Sequence, residues 1–263
     1  MESVWSNANQ KKPINALHQQ KRAQSIEKTN FEQELQNYTS NEISLKKTNT
    51  NSRPEFFPET PTLAKGLQLS GKQLGDSGTA LLAEKLQNPP HYNALFLANN
   101  HIGDMGLNAL ATSLKANTSV QHLILSNNKL TDFAMAALAD LLKVNHHIGW
   151  LVLNKNAIGT FGIKQLADAL ISNKGVKHLI LSDNNIDSKG VIALGKALKN
   201  NTSIKTVFLQ GNPIDTESLP ALEALLKHPS ISIIDLRDTP LSESNDKQKL
   251  IQVAKTNHKT LHI

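Results

Sequence analysis

Pairs of apolar residues separated by one position recur along this chain at a fixed step. Leu67/Leu69, Leu95/Leu97, Leu123/Leu125, Leu151/Leu153 and Leu179/Leu181 follow one another at 28 residues. Val207/Leu209 adds a further step of 28, and Ile234/Leu236 and Leu261/Ile263 follow at 27. Such a period constrains the fold more than any local signal. One unit of this length cannot bury its own apolar face, so neighbours must stack and stability becomes a sum of repeat and interface terms.

Other columns keep the same phase. Asn100, Asn128, Asn156, Asn184 and Asn212 stand five residues after the first leucine, and Gly78, Gly106, Gly162 and Gly190 share a later column. The second half of each unit carries leucines at i and i+4, as in Leu110/Leu114 and Leu166/Leu170. That spacing is one face of a helix, whereas L-x-L has the period of a strand. Each unit therefore reads as a short strand, an asparagine turn and a helix. An amide at a sharp turn satisfies backbone groups left unpaired there, and in register it forms a ladder between units. Lys72 and Thr239 break the column at its first and last turns, as the ends of an array are expected to do.

The pattern L-x-L-x-x-N-x-(L/I) followed by a helix resembles the leucine-rich repeats of the ribonuclease-inhibitor-like subclass, from about Leu63 to Ile263. The resemblance implies an α/β solenoid, a horseshoe with a parallel concave sheet and convex helices, of about seven full repeats and a terminal strand. Residues 1–62 carry none of this register and are rich in Gln, Asn, Lys, Ser and Thr. They read as a separate polar segment, either a disordered tail with weak helices in Ile14–Tyr38, or, at 54–62, a cap in which Phe56 and Phe57 cover the first repeat.

Several chemistries are excluded or disfavoured. The chain has no cysteine, which removes disulfides and thiolate sites and points to an intracellular setting. No run of 18 apolar residues suggests a membrane-spanning helix, and the first 20 residues lack the apolar core of a Sec signal peptide. Gly66 to Gln73 comes close to a phosphate-binding loop but lacks its final Ser/Thr, and its leucines are in repeat register. No metal site is expected, since His122 and His178 stand two strands apart, roughly 9–10 Å, with Trp150 between them. His146 and His147 lack a carboxylate at ligand spacing. No nucleophile and base constellation stands out, so neither enzymatic activity nor a cofactor is expected. The +6 net charge divides into +1 for residues 1–62 and +5 for the repeats. Only Arg22, Arg53 and Arg237 are arginine, and Lys115, Lys143, Lys199 and Lys227 recur at helix ends, where a cation is favoured. Asp76, Asp104 and Asp132 occupy helix starts for the converse reason. Nucleic acid is therefore not an expected partner. Asn117 and Asn201 match glycosylation acceptors, but both fall in one repeat phase, where turn chemistry accounts for them.

Strand alternation points to the functional face. If the L-x-L leucines face inward, the column Phe96, Ile124, Val152, Ile180 and Phe208 faces out, an apolar ridge about 19 Å long. Trp150, His122 and His178 flank it, with Asn154 and Arg237 on the other side. Exposed apolar patches mark interaction sites and Trp is enriched in hot spots, so these ten residues are the expected protein-binding site. Two other readings stay open: the N-terminal segment covers the ridge, or strand propensity alone explains the column. The sequence reads as a non-enzymatic, cytoplasmic interaction module and a monomer, with dimerisation through the edge strand at Ile263 as the alternative. The resemblance further suggests a virulence effector delivered into a host cell by an intracellular bacterium. Its competitor is a GTPase-activating regulator built on the same repeats, with Asn154 and Arg237 the first residues to test.

Overall fold

The computed structural model describes residues 66–87 and 91–263, so the N-terminal segment 1–62 and its cap at 54–62 lie outside the described residues. Eight three-residue strands recur as expected: β1 (Gly66–Gln68), β2 (Ala94–Phe96), β3 (His122–Ile124), β4 (Trp150–Val152), β5 (His178–Ile180), β6 (Thr206–Phe208), β7 (Ile233–Asp235) and β8 (Thr260–His262). Between them lie α1 (Gly75–Lys85), α2 (Asp104–Leu114), α3 (Asp132–Val144), α4 (Thr160–Leu170), α5 (Ser188–Leu198), α6 (Leu219–Lys227), α7 (Pro240–Glu243) and α8 (Lys247–Thr256). The strands pair in sequence order as one parallel sheet. Parallel neighbours need a crossover, and each unit's helix supplies it. The register is the repeat itself: Leu95 lies beside Leu123 and Trp150 beside His178, and the shortened unit sets Val207 beside Ile234.

The leucine columns fill the space between sheet and helices. Leu95, Leu97, Leu110, Leu114, Leu123 and Leu125 are completely buried, as are their counterparts in the next repeats. Each buried leucine contributes about 1.5–3 kcal/mol. The glycine column serves close approach. A Cβ on Gly162 would stand 2.6 Å from Asp132 Oδ1 and 2.9 Å from Asp132 Cα, so α4 packs closer to α3 than alanine permits.

Polar groups knit successive repeats. Asn128 Oδ1 accepts the backbone N–H groups of Asn100 (3.0 Å) and Ile102 (3.0 Å), while its Nδ2 donates to the carbonyls of Leu97 (3.0 Å) and Leu125 (2.9 Å). The same pattern repeats at Asn156, Asn184 and Asn212. At the end of the column, Thr239 donates instead to the Leu236 carbonyl (2.6 Å) and forms a capping box with Ser242. Asp76 does more than favour its own helix dipole: its Oδ1 accepts the N–H groups of Gly103 (2.7 Å) and Gly106 (2.9 Å), capping α2 in the next unit. Asp104 likewise accepts from the backbone (2.8 Å) and hydroxyl (2.6 Å) of Thr131.

A second asparagine column, Asn117, Asn145, Asn173 and Asn201, follows the helices. Asn173 Nδ2 donates to Leu142 (2.7 Å) and Asn145 (2.9 Å) carbonyls, and its Oδ1 accepts from the Gly175 and Val176 N–H groups, both at 2.9 Å. Asn201 is buried with both amide hydrogens engaged, and Asn117 Oδ1 accepts from Ser119 and Val120. These acceptor-like triplets are turn chemistry, as the repeat phase suggests. The near phosphate loop is strand β1 and its turn. Among the described residues no helix is long and apolar enough to cross a membrane.

Candidate protein-binding face

The sheet has one face under the helices and one open face. Strand alternation sends the buried leucines to the first and the intervening column to the second. The register sets Phe96 beside Ile124, then Val152, Ile180, Phe208 and Asp235. All ten expected site residues belong to this face or its rim, and parallel pairing brings those in one column side by side.

Their exposure differs from expectation. Val152, Ile180 and Phe208 are only 1%, 6% and 9% exposed, and His122 is also buried. The ridge does not stand out into water, because Val152, Ile180 and Phe208 pack as one cluster with Ile124, Trp150 and Ile233 against them. Side chains in register are about 4.8 Å apart, so bulky neighbours shield one another across the sheet. Phe96, Ile124, Trp150, His178, Asn154 and Arg237 keep partial exposure. Of the ten, these six are what a partner can reach.

At the centre, His122, Trp150 and His178 form a stack. The Trp150 and His178 rings lie 3.8 Å apart with planes 20° from parallel, and the His122 ring is 6.0 Å from Trp150 at 16°. His178 Nδ1 also lies 3.0 Å from Thr206 Oγ1. Burial, helped by the charge of Lys177 and by His122, lowers the His178 pKa to about 4, and burial lowers that of His122. Both rings are neutral at pH 7, which suits an aromatic stack and removes charge from the middle of the face. Among the described residues no group of His, Cys, Asp or Glu is arranged to hold a metal ion.

The rim is polar and already engaged. Arg237 holds the buried Asp235 carboxylate in a two-pronged pair, Nη2 to Oδ2 at 2.7 Å and Nε to Oδ1 at 3.1 Å, and reaches Gln210 Oε1 at 3.3 Å. Asn154 Oδ1 accepts from the Ser126 hydroxyl at 2.7 Å. An arginine fixed on its own carboxylate is poorly placed to reach into another protein's catalytic site.

Sequence reasoning missed the largest exposed apolar side chains, which lie on the helices. Met105, Phe133 and Phe161 open three successive helices at one repeat phase, and Val144 and Ile171 lie near the ends of α3 and α4. The step of 28 between residues 105, 133 and 161 was the available signal, weaker than the leucine columns because Ser77, Lys189 and Glu217 hold the same phase in other units.

A family model described as "Leucine Rich repeat" matches residues 116–139 and 172–195. Among solved structures, one titled "Leiomodin-1 Actin-Binding Site 2 (ABS2)" is similar at 24% identity and a TM-score of 0.46, over 67% of this chain and 94% of that one. The comparison with curated proteins gave no match. With eight parallel strands, a helix after each of the first seven and asparagine turns in register, the fold is a leucine-rich-repeat α/β solenoid of about seven repeats, and the family model matches two stretches of it.

Proposed function

We propose that this chain is a non-catalytic protein-binding module that takes a protein partner on the open face of its sheet, around Trp150. The observation that carries this reading is the stacked, partly exposed Trp150 at the centre of eight strands, with Ile124 in the same cluster, Phe96 two strands away and Asn154 and Arg237 at the rim. A large amphipathic ring held rigidly by its neighbours loses little entropy on binding, which is why such residues dominate interface energetics. Leucine-rich repeats as a class serve protein recognition, and the one hydroxyl–imidazole contact described on this face, Thr206 with His178, involves a buried threonine beneath a ring already stacked on Trp150. The repeat length and its helices support assignment to the ribonuclease-inhibitor-like subclass.

The test is affinity capture from native and host cytosol with the full chain and with Phe96→Ser/Trp150→Ser. Folding is checked by circular dichroism. Retention of every captured protein by a folded double variant would sink the reading. Absence of cysteine supports a cytoplasmic setting, and a bias to Asn and Lys over Arg, with a polar N-terminal segment, supports an effector delivered into a host cell. A translocation reporter fused to the full chain tests delivery. The GTPase-activating alternative draws on the shared repeat alone, and the Asp235–Arg237 pair weighs against it. Unchanged GTP hydrolysis across a panel of small GTPases would remove it.

A further inference from the structure

Among the described residues, five large apolar side chains stand in solvent: Met105 is 72% exposed, Phe133 81%, Phe161 62%, and Val144 and Ile171 57% each. Apart from Met105 they occupy the outer face of α3 and α4, and their arrangement is ordered. Along α4 and its first following residue, the outward stripe reads Phe161, Lys164, Asp168, Ile171, which is apolar, basic, acidic, apolar. Along α3 it reads Phe133, Ala136, Asp140, Val144. At 1.5 Å rise per residue, Phe161 and Ile171 are about 15 Å apart and Phe133 and Val144 about 16 Å. The midpoints of both stripes fall at the same repeat phase, near Leu138 and Leu166, so one line across the two helices bisects both.

We propose that this face docks a second copy of the chain about a two-fold axis lying along that line. The rotation lays α4 antiparallel on the second copy's α4, and α3 on its α3. Phe161 then meets Ile171 of the second copy and Phe133 meets its Val144, each contact made twice as an isologous interface requires. Lys164 falls opposite Asp168 of the second copy, and Asp168 opposite its Lys164. Neither Lys164 nor Asp168 has an ion-pair partner among the described residues, whereas Asp140 is already held by Lys143 at 2.9 Å. The stripe is thus complementary to itself in both apolar pattern and charge. The four end residues expose roughly 500 Å² of apolar surface per copy, a patch of the size that marks function. Ala136, Gln165 and the charged pairs bring the face toward the ~800 Å² per partner of a stable interface. A lipid surface fits less well, because Asp140 and Asp168 in mid-stripe would enter it without a partner for Asp168.

The test is sedimentation of the full chain from about 1 µM to about 500 µM. The expected mass rises from one chain toward two. Phe133→Ser/Phe161→Ser, whose side chains are too exposed to matter for folding, weakens the dimer at least about tenfold. Lys164→Glu weakens it several-fold, and adding Asp168→Lys restores it by reversing both partners of each pair. A mass that stays at one chain throughout overturns the proposal. So does a dimer that is indifferent to these changes, since it would use another surface such as the β8 edge.

Discussion

Replacing Asn184 by alanine tests the strongest structural claim, that the asparagine column joins the repeats. Asn184 is buried, and its Oδ1 accepts the Ile158 N–H at 3.1 Å. Its Nδ2 donates to the carbonyls of Leu153 (3.1 Å), Leu181 (3.0 Å) and Ser182 (3.2 Å). Leu153 and Leu181 keep a second donor, from Asn156 and Asn212 respectively, so these carbonyls are not orphaned. The Ile158 N–H has Asn184 as its acceptor, and alanine leaves it buried and unpaired. One orphaned donor costs about 1–3 kcal/mol and each net hydrogen bond lost about 0.5–1.5 kcal/mol, so the sum is about 2–5 kcal/mol. Against a usual total stability of about 5–15 kcal/mol this is a large fraction. Asn184→Asp should do worse, since a carboxylate would face three carbonyl oxygens. Asn185→Ala, one residue on and exposed, should stay within about 0.5 kcal/mol. Equilibrium urea unfolding followed by circular dichroism reads all three, with the midpoint as the measure. A shift for Asn184→Ala no larger than that for Asn185→Ala would refute the reasoning.

Other outcomes follow from the same packing. Gly162→Ala should destabilise by about 1–3 kcal/mol despite alanine's better helix propensity, because the new methyl meets Asp132 and Met135; thermal melting checks this. Arg237→Ala should cost about 2–4 kcal/mol in urea unfolding by leaving the buried Asp235 carboxylate unpaired, and Arg237→Ala/Asp235→Asn should recover part of it. His178 has a folded pKa of about 4 against 6.5 unfolded, so the unfolded chain takes up the proton first as pH falls. Its contribution to stability is complete above pH 6.5 and lost on descent to about pH 4, a dependence that His178→Phe should remove. NMR titration of the His178 ring should give the low value directly; a value near 6.5 would contradict the stack's burial.

The solenoid was legible because its constraints repeat. Leucine, asparagine and glycine columns each report one physical demand eight or fewer times over, so noise at one position is averaged out. The candidate face was legible only as positions. Alternation places Val152 and Phe208 on the open side, but their exposure depends on neighbours in space, and Val152, Ile180 and Phe208 shield one another in a way no single strand declares. Arg237 likewise reads as a free rim cation until its distance to Asp235 is known. The exposed Phe133 and Phe161 were missed for a different reason: they begin helices in otherwise amphipathic patterns, and a single apolar residue at a helix start is usually buried.

The hydrogen bonds that cross from one repeat to the next also set how the protein yields to force. Each middle repeat is gripped by amides of its neighbours on two sides, whereas an end repeat is gripped on one. Under tension applied to its two termini, such an array peels from an end, and every rupture exposes the next unit as the new end. Each released repeat of 28 residues lengthens the chain by about 95 Å of contour while removing about 5 Å of stacked sheet. The solenoid therefore behaves as a ratcheted spring of nearly equal steps, long in reach and with no single point of failure.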